Sequence, residues 1–211
     1  MTIRFVCLHG FTQNGEQLRT RLAPLAKQLE PDVAMICPDA PHACAQATVD
    51  RLYTAWNLDR LPPPYLCWWD ATDDGRSYRG WETTHDRLRE LCTSDDPVVV
   101  LGFSQGGIVA ASLAALSAAG TFPRLAGVVL VAGRAPRSDA LSPLFEAPIA
   151  MPSLHVWGER DTMSKGASAE LVERFDAGSR QVVVWPGPHA VPVRGEHGTA
   201  IVDFVRRVTA K

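Results

Sequence analysis

The sequence predicts a three-layer α/β domain in which a mostly parallel sheet of about six strands lies between helices. Three observations carry that prediction. Apolar runs of strand length alternate with helix-length amphipathic segments. Most of the runs are apolar throughout rather than alternating in polarity, as parallel strands are when both faces are covered. The 211 residues suit one domain, at the usual ~100 to 200 residues each, and suffice to bury a core.

Ile3 to Leu8 reads as the first strand. Leu18, Leu22, Leu25 and Leu29 follow at three- and four-residue steps, the stripe of a helix. Pro24 lies inside that stripe, so the helix is expected to kink or to begin later, because proline lacks a donor and clashes with the preceding turn. Val33 to Cys37 is the second strand. Residues 40–80 then break the alternation with Pro62-Pro63-Pro64, Trp56, Trp68, Trp69 and Tyr78. A loop that long suits a substrate wall, or a solvated excursion pinned to the core by its tryptophans.

Trp81, Thr84, Leu88 and Leu91 mark the next helix, and Val98 to Leu101 the third strand. Ser104 to Ala119, rich in Ala and Leu, reads as a helix stopped by Gly120, which suits a left-handed cap. Ala126 to Val131, Ser153 to Trp157 and Gln181 to Trp185 complete six strands, and Ile201, Val205 and Val208 belong to a last helix. The reading is one domain over residues 1–211, with ligands expected at the carboxyl ends of the strands.

Composition excludes several function classes. Acids outnumber bases, 23 to 21, and the basic residues are dispersed, so no stripe exists for tracking phosphates and nucleic acid is not an expected partner. No segment approaches the ~20 apolar residues of a membrane span, and the amino terminus runs straight into a strand pattern without a signal-peptide layout. A cytoplasmic protein is expected. The five cysteines, Cys7, Cys37, Cys44, Cys67 and Cys92, form no C-x-x-C pair and are read as reduced. No H-E-x-x-H or similar ligand spacing occurs, so no metal is expected.

Gly102-Phe103-Ser104-Gln105-Gly106 places Gly-X-Ser-X-Gly between a buried strand and a helix. At such a turn the serine is held in a strained conformation, and the flanking glycines let strand and helix approach each other. A serine hydroxyl is a weak nucleophile and requires a base, which in turn requires an orienting carboxylate. Asp161 follows the fifth strand, where capping the next helix is the alternative role, and Glu159 and Asp139 are weaker rivals. His189 follows the sixth strand, with His197, at the start of the last helix, as the rival base. His155, inside a strand, reads as a satisfied core histidine and His85 as an exposed helix residue. After the first strand, Leu8-His9-Gly10-Phe11 offers the Phe11 N–H as an oxyanion donor beside that of Gln105, with an ordinary turn capped by Asn14 as the alternative. Neither glycine turn spells G-x-G-x-x-G, which disfavours dinucleotide binding.

With these residues in hand, the chain resembles the α/β-hydrolases, and more narrowly the FSH-type serine hydrolase family with its OVCA2-like esterases. The resemblance covers nearly the whole chain. It rests on Leu8 to Gly15, Pro38-Asp39-Ala40-Pro41-His42, Trp68-Trp69-Asp70, the Ser104 turn, and the segments around Asp161 and His189. Acyl-protein thioesterases and small carboxylesterases share the Gly-Phe-Ser-Gln-Gly-Gly turn. The sequence departs from its relatives at Thr162-Met163-Ser164-Lys165, where an apolar residue and a proline are common.

The resemblance implies a sheet in the order second, first, third, fourth, fifth, sixth, without the antiparallel strands that open larger relatives. It also implies hydrolysis of a small-molecule ester or thioester by Ser104, His189 and Asp161, with no cofactor. Trp69, Tyr78 and Trp81 are the residues expected to wall the substrate. A catalytically silent binding module on the same fold is the alternative from another class. Nothing in the sequence indicates oligomeric state.

Overall fold

The computed structural model describes residues 2–57 and 59–210; Met1, Leu58 and Lys211 of the expected domain lie outside them. The chain opens with β1 (Ile3–Leu8), α1 (Gly15–Leu29) and β2 (Val33–Ile36). The excursion follows as β3 (His42–Ala43), α2 (Gln46–Ala55), β4 (Leu66–Cys67), β5 (Asp70–Ala71) and β6 (Tyr78–Arg79). Next come α3 (Trp81–Cys92), β7 (Val98–Phe103), α4 (Gln105–Ala118) and β8 (Gly127–Val131). The last elements are β9 (Ser153–Gly158), α5 (Lys165–Val172), β10 (Arg180–Trp185) and α6 (Gly195–Thr209).

Six strands form one all-parallel sheet in the order β2-β1-β7-β8-β9-β10. In chain order this is second, first, third, fourth, fifth, sixth. The pleat sends alternate residues to opposite faces, which is why the central strands are apolar throughout. In β7, Val98 and Val100 join the core under α3 and α4, whereas Val99, Leu101 and Phe103 join the core under α1 and α6. The sheet is thereby sandwiched, and its carboxyl edge is left to the loops.

The structure corrects several expectations. Strand β10 is an edge, and Val182 and Val184 are 46% and 41% exposed, so one of its faces is not covered. Helix α1 does not begin after Pro24. Asn14 caps it by accepting from the Gln17 N–H at 3.0 Å, and the Thr20 carbonyl that proline leaves without a donor lies in an exposed residue. The excursion is not all loop, since it contains α2, which buries only Val49 and Tyr53. Helix α5, which the sequence marks only as the helix that follows Asp161, spans Lys165–Val172. His85 is only partly exposed, packed between Trp81 and Phe122. His155 is a core residue, but only half satisfied: its Nε2 lies 3.1 Å from Ser153 Oγ, and its Nδ1 has no partner among the described residues.

Candidate active site

The carboxyl ends of β1, β7, β9 and β10 deliver the polar residues singled out above. Ser104 follows β7 directly, with φ 55° and ψ −114°, a left-handed conformation that non-glycine residues rarely adopt. Two glycines make the turn possible. A Cβ on Gly102 would stand 2.0 Å from the Gly106 carbonyl oxygen, and one on Gly106 would stand 2.2 Å from the Leu8 carbonyl oxygen. The helix start is thus pressed against the end of β1 as well as β7. The Ser104 N–H donates to the Val131 carbonyl at 2.9 Å, which fixes the turn to β8.

His189 is brought in by the loop after β10. A Cβ on Gly158 would meet the Gly187 carbonyl oxygen at 2.1 Å, and Arg160 N–H donates to that same oxygen at 3.0 Å. The loops after β9 and β10 are therefore locked together. His189 Nδ1 lies 2.8 Å from Asp161 Oδ2, and its Nε2 lies 3.0 Å from Ser104 Oγ. With the aspartate ionised, Nδ1–H donates to the carboxylate, leaving Nε2 to accept the serine proton. The structure brings these three together and leaves the rivals apart. Glu159 is exposed, Asp139 pairs with Arg76 at the surface, and His197 sits on α6 beside Glu196.

Asp161 does not cap α5, whose N-cap position is Ser164; it closes the turn that precedes the helix. Its Oδ1 accepts from the Met163 and Ser164 N–H groups at 2.9 Å each, and Ser164 Oγ donates to Oδ2 at 2.5 Å. Burial raises the carboxyl pKa, but the hydrogen bonds from Ser164 and His189 outweigh it and hold the group below its ordinary value. Ser164, in the segment that departs from the family pattern, is thus a ligand of the acid that the sequence did not reveal.

The loop after β1 is organised by a second residue missed in the sequence, His9. Its Nε2 accepts from the Ala40 N–H at 3.0 Å, so its Nδ1 carries the proton and donates to Gly10 O at 2.8 Å. Trp68 Nε1 donates to the His9 carbonyl at 2.8 Å. Phe11 follows, and among the described residues neither its N–H nor that of Gln105 has an acceptor within the protein. Both residues line the same cleft as Ser104 and His189. The Gln105 side chain clamps the neighbouring wall, accepting from Trp68 N–H and donating to Trp69 O, each at 3.0 Å.

Burial brings the imidazole of His9 down to about 4, against the opposing pull of the Gly10 carbonyl and Asp39. His155 is likewise brought to about 4, by burial and then by Arg180. An unfolded histidine titrates near ~6.5. Above that pH neither imidazole affects stability. Between about 6.5 and about 4 only the unfolded chain takes up the proton, so stability falls with falling pH, by at most about 1.4 kcal/mol per pH unit for each. Urea unfolding at pH 7.5 and pH 5 should show this loss, reduced in His155→Leu; an equal loss in the variant would show that His155 does not contribute.

The cleft encloses about 790 Å³. Trp69 and Tyr78 line it, stacked with ring centroids 4.4 Å apart. Trp81 is not part of the lining. It meets Trp69 edge-on at 6.1 Å and packs against the core that includes Leu88, because it opens α3 on the sheet side of the wall.

A family model described as "Serine hydrolase (FSH1)" matches residues 1–201. Among curated proteins, the chain is 29% identical to a zebrafish (Danio rerio) protein named esterase OVCA2, covering 97% of each chain. It is 30% identical to the Xenopus tropicalis protein of that name, covering 90% of this chain and 86% of the other. Among solved structures it is similar to Zea mays acyl-protein thioesterase 2, with a TM-score of 0.74, 19% identity and coverage of 99% and 94%. It is also similar to esterase PE8, with a TM-score of 0.69, 19% identity and coverage of 98% and 93%. At those identities the structural likeness establishes an α/β-hydrolase fold. Among the described residues no helix is long and apolar enough to cross a membrane.

Proposed function

The chain belongs to the FSH1 family of serine hydrolases, and from that premise we propose that it cleaves carboxylic esters through an acyl-enzyme intermediate. One observation carries the proposal: Ser104 Oγ, the two nitrogens of His189 and Asp161 Oδ2 stand in one hydrogen-bonded series of 3.0 and 2.8 Å. His189 takes the Ser104 proton as the oxygen attacks the ester carbonyl, and Asp161 orients and stabilises the imidazolium. The Phe11 and Gln105 N–H groups receive the developing oxyanion, where one such donor is typically worth about 3 kcal/mol of the barrier. His189 returns the proton to the leaving alcohol, then activates water against the acyl-enzyme. Trp69 and Tyr78 supply the apolar wall. The five free thiols fit work in a reducing compartment such as the cytoplasm.

Relatives named esterases favour esters, and the likeness to a thioesterase makes thioesters the second reading. A fluorophosphonate probe should label the wild-type chain and not Ser104→Ala. Equal labelling of the two would remove Ser104 as nucleophile, and no labelling at all would favour a silent binding module. A chain-length series of 4-nitrophenyl esters beside matched acyl thioesters, compared by kcat/KM, separates the two substrate classes. Esters are expected to lead.

A further inference from the structure

The cleft over Ser104 is lined by more cations than the fold can pair. Arg51, Arg79, Arg134 and Arg137 all face it, together with Asp70 and Asp73, in a chain whose net charge is −2. Arg79 is engaged with Asp70. Among the described residues, Arg51, Arg134 and Arg137 have no carboxylate within ion-pair distance, and the Arg134 guanidinium has no hydrogen-bond acceptor in the protein.

Arg134 differs from the other two in being half-buried rather than exposed. It sits just past the end of β8, where the Val131 carbonyl holds the Ser104 N–H and the Gly133 carbonyl accepts from Ser168 Oγ at 2.8 Å. A Cβ on Gly107 would stand 2.9 Å from Gly133 Cα, so this segment rests directly on the helix that begins at Ser104. Arg137 is tied to the same wall, its N–H donating to the Tyr78 hydroxyl at 2.9 Å. Desolvation and then the charge of Arg137 lower the Arg134 guanidinium from its ordinary value. Two like charges sharing a partly desolvated cleft repel each other, and an anion between them relieves that repulsion.

We propose that the ester hydrolysed here carries a second, anionic group, a carboxylate on its acyl chain or on its leaving alcohol, which Arg134 receives with Arg137 while the carbonyl lies over Ser104. The proposal rests on the hydrolase reading above and adds the substrate class. Planar guanidinium forks suit a carboxylate.

The test compares four substrates in two pairs: mono-4-nitrophenyl glutarate against neutral 4-nitrophenyl valerate, and the butyrate ester of 4-hydroxybenzoate against that of methyl 4-hydroxybenzoate. One anionic member should exceed its neutral partner in kcat/KM by tenfold or more, and which one does so places the charge on the acyl or alcohol side. Arg134→Met should collapse that ratio about tenfold, Arg134→Lys should retain part of it, and high salt should reduce it in the wild type. A wild-type ratio at or below one in both pairs, or a ratio unchanged in Arg134→Met, overturns the proposal. If those results come with Ser104 still labelled and neutral esters still turned over, the substrate class alone is lost. Absent labelling together with absent turnover removes the hydrolase reading and this inference with it.

Discussion

His189→Ala is expected to lower kcat/KM on a 4-nitrophenyl ester by about 10⁴- to 10⁶-fold, because residues acting as one unit fail together. The variant keeps its architecture. Asp161 retains the Ser164 hydroxyl and two backbone N–H donors, and the loop after β10 is still held by the Gly187 carbonyl at Arg160. What disappears is the acceptor 3.0 Å from Ser104 Oγ. Adding Ser104→Ala to His189→Ala should cost almost nothing more, since the second change disables a step already lost. Steady-state kinetics on the single and double variants check both statements. Loss in His197→Ala with His189→Ala within tenfold of the parent would move the base to α6.

Gly106→Ala should be strongly destabilising for so small a change, at about 3 kcal/mol or more, large against a typical margin of ~5 to 15 kcal/mol. The added methyl would lie 2.2 Å from the Leu8 oxygen and 2.7 Å from the His9 oxygen. Those are backbone atoms of β1 and its following loop, which cannot rotate away as a side chain can. Relief would require α4 to lift off the sheet, carrying Ser104 and the Gln105 N–H with it. Gly166→Ala is the control: its Cβ meets nothing within 4 Å, and it lies in α5, where alanine is favoured over glycine by about 1 kcal/mol. Urea midpoints should fall steeply for Gly106→Ala and hold or rise for Gly166→Ala.

The sheet was legible in the sequence because burial on both faces writes an unmistakable apolar run, helices α1, α3 and α6 because each carries a regular stripe, and α4 because it is rich in Ala and Leu and buried on almost every side. The two helices that the sequence does not delimit, α2 and α5, lack such a stripe. In α2 only Val49 and Tyr53 face inward, and the eight residues of α5 bury Ser168 beside Leu171 and Val172. Strand β10 reads like the central strands, yet only its place at the sheet edge explains its outward valines. At the site, Ser104, Asp161 and His189 could be picked out because each stands at a strand end, a local property. His9, Ser164 and the Gln105 side chain act through partners in loops distant in sequence or in an unusual turn, and no spacing rule reaches those. Trp81 shows the converse: an aromatic residue in the right segment whose direction is decided by the helix it opens.

The left-handed backbone at Ser104 sets folding against reactivity. Every other residue type except glycine would suffer there as serine does, and glycine alone would rest at ease, so the molecule would hold together better with no side chain at that point. A polypeptide that served only as a passive surface would shed the hydroxyl and gain stability. The side chain at this turn therefore weakens the native state that presents it, and only its chemistry offsets that cost.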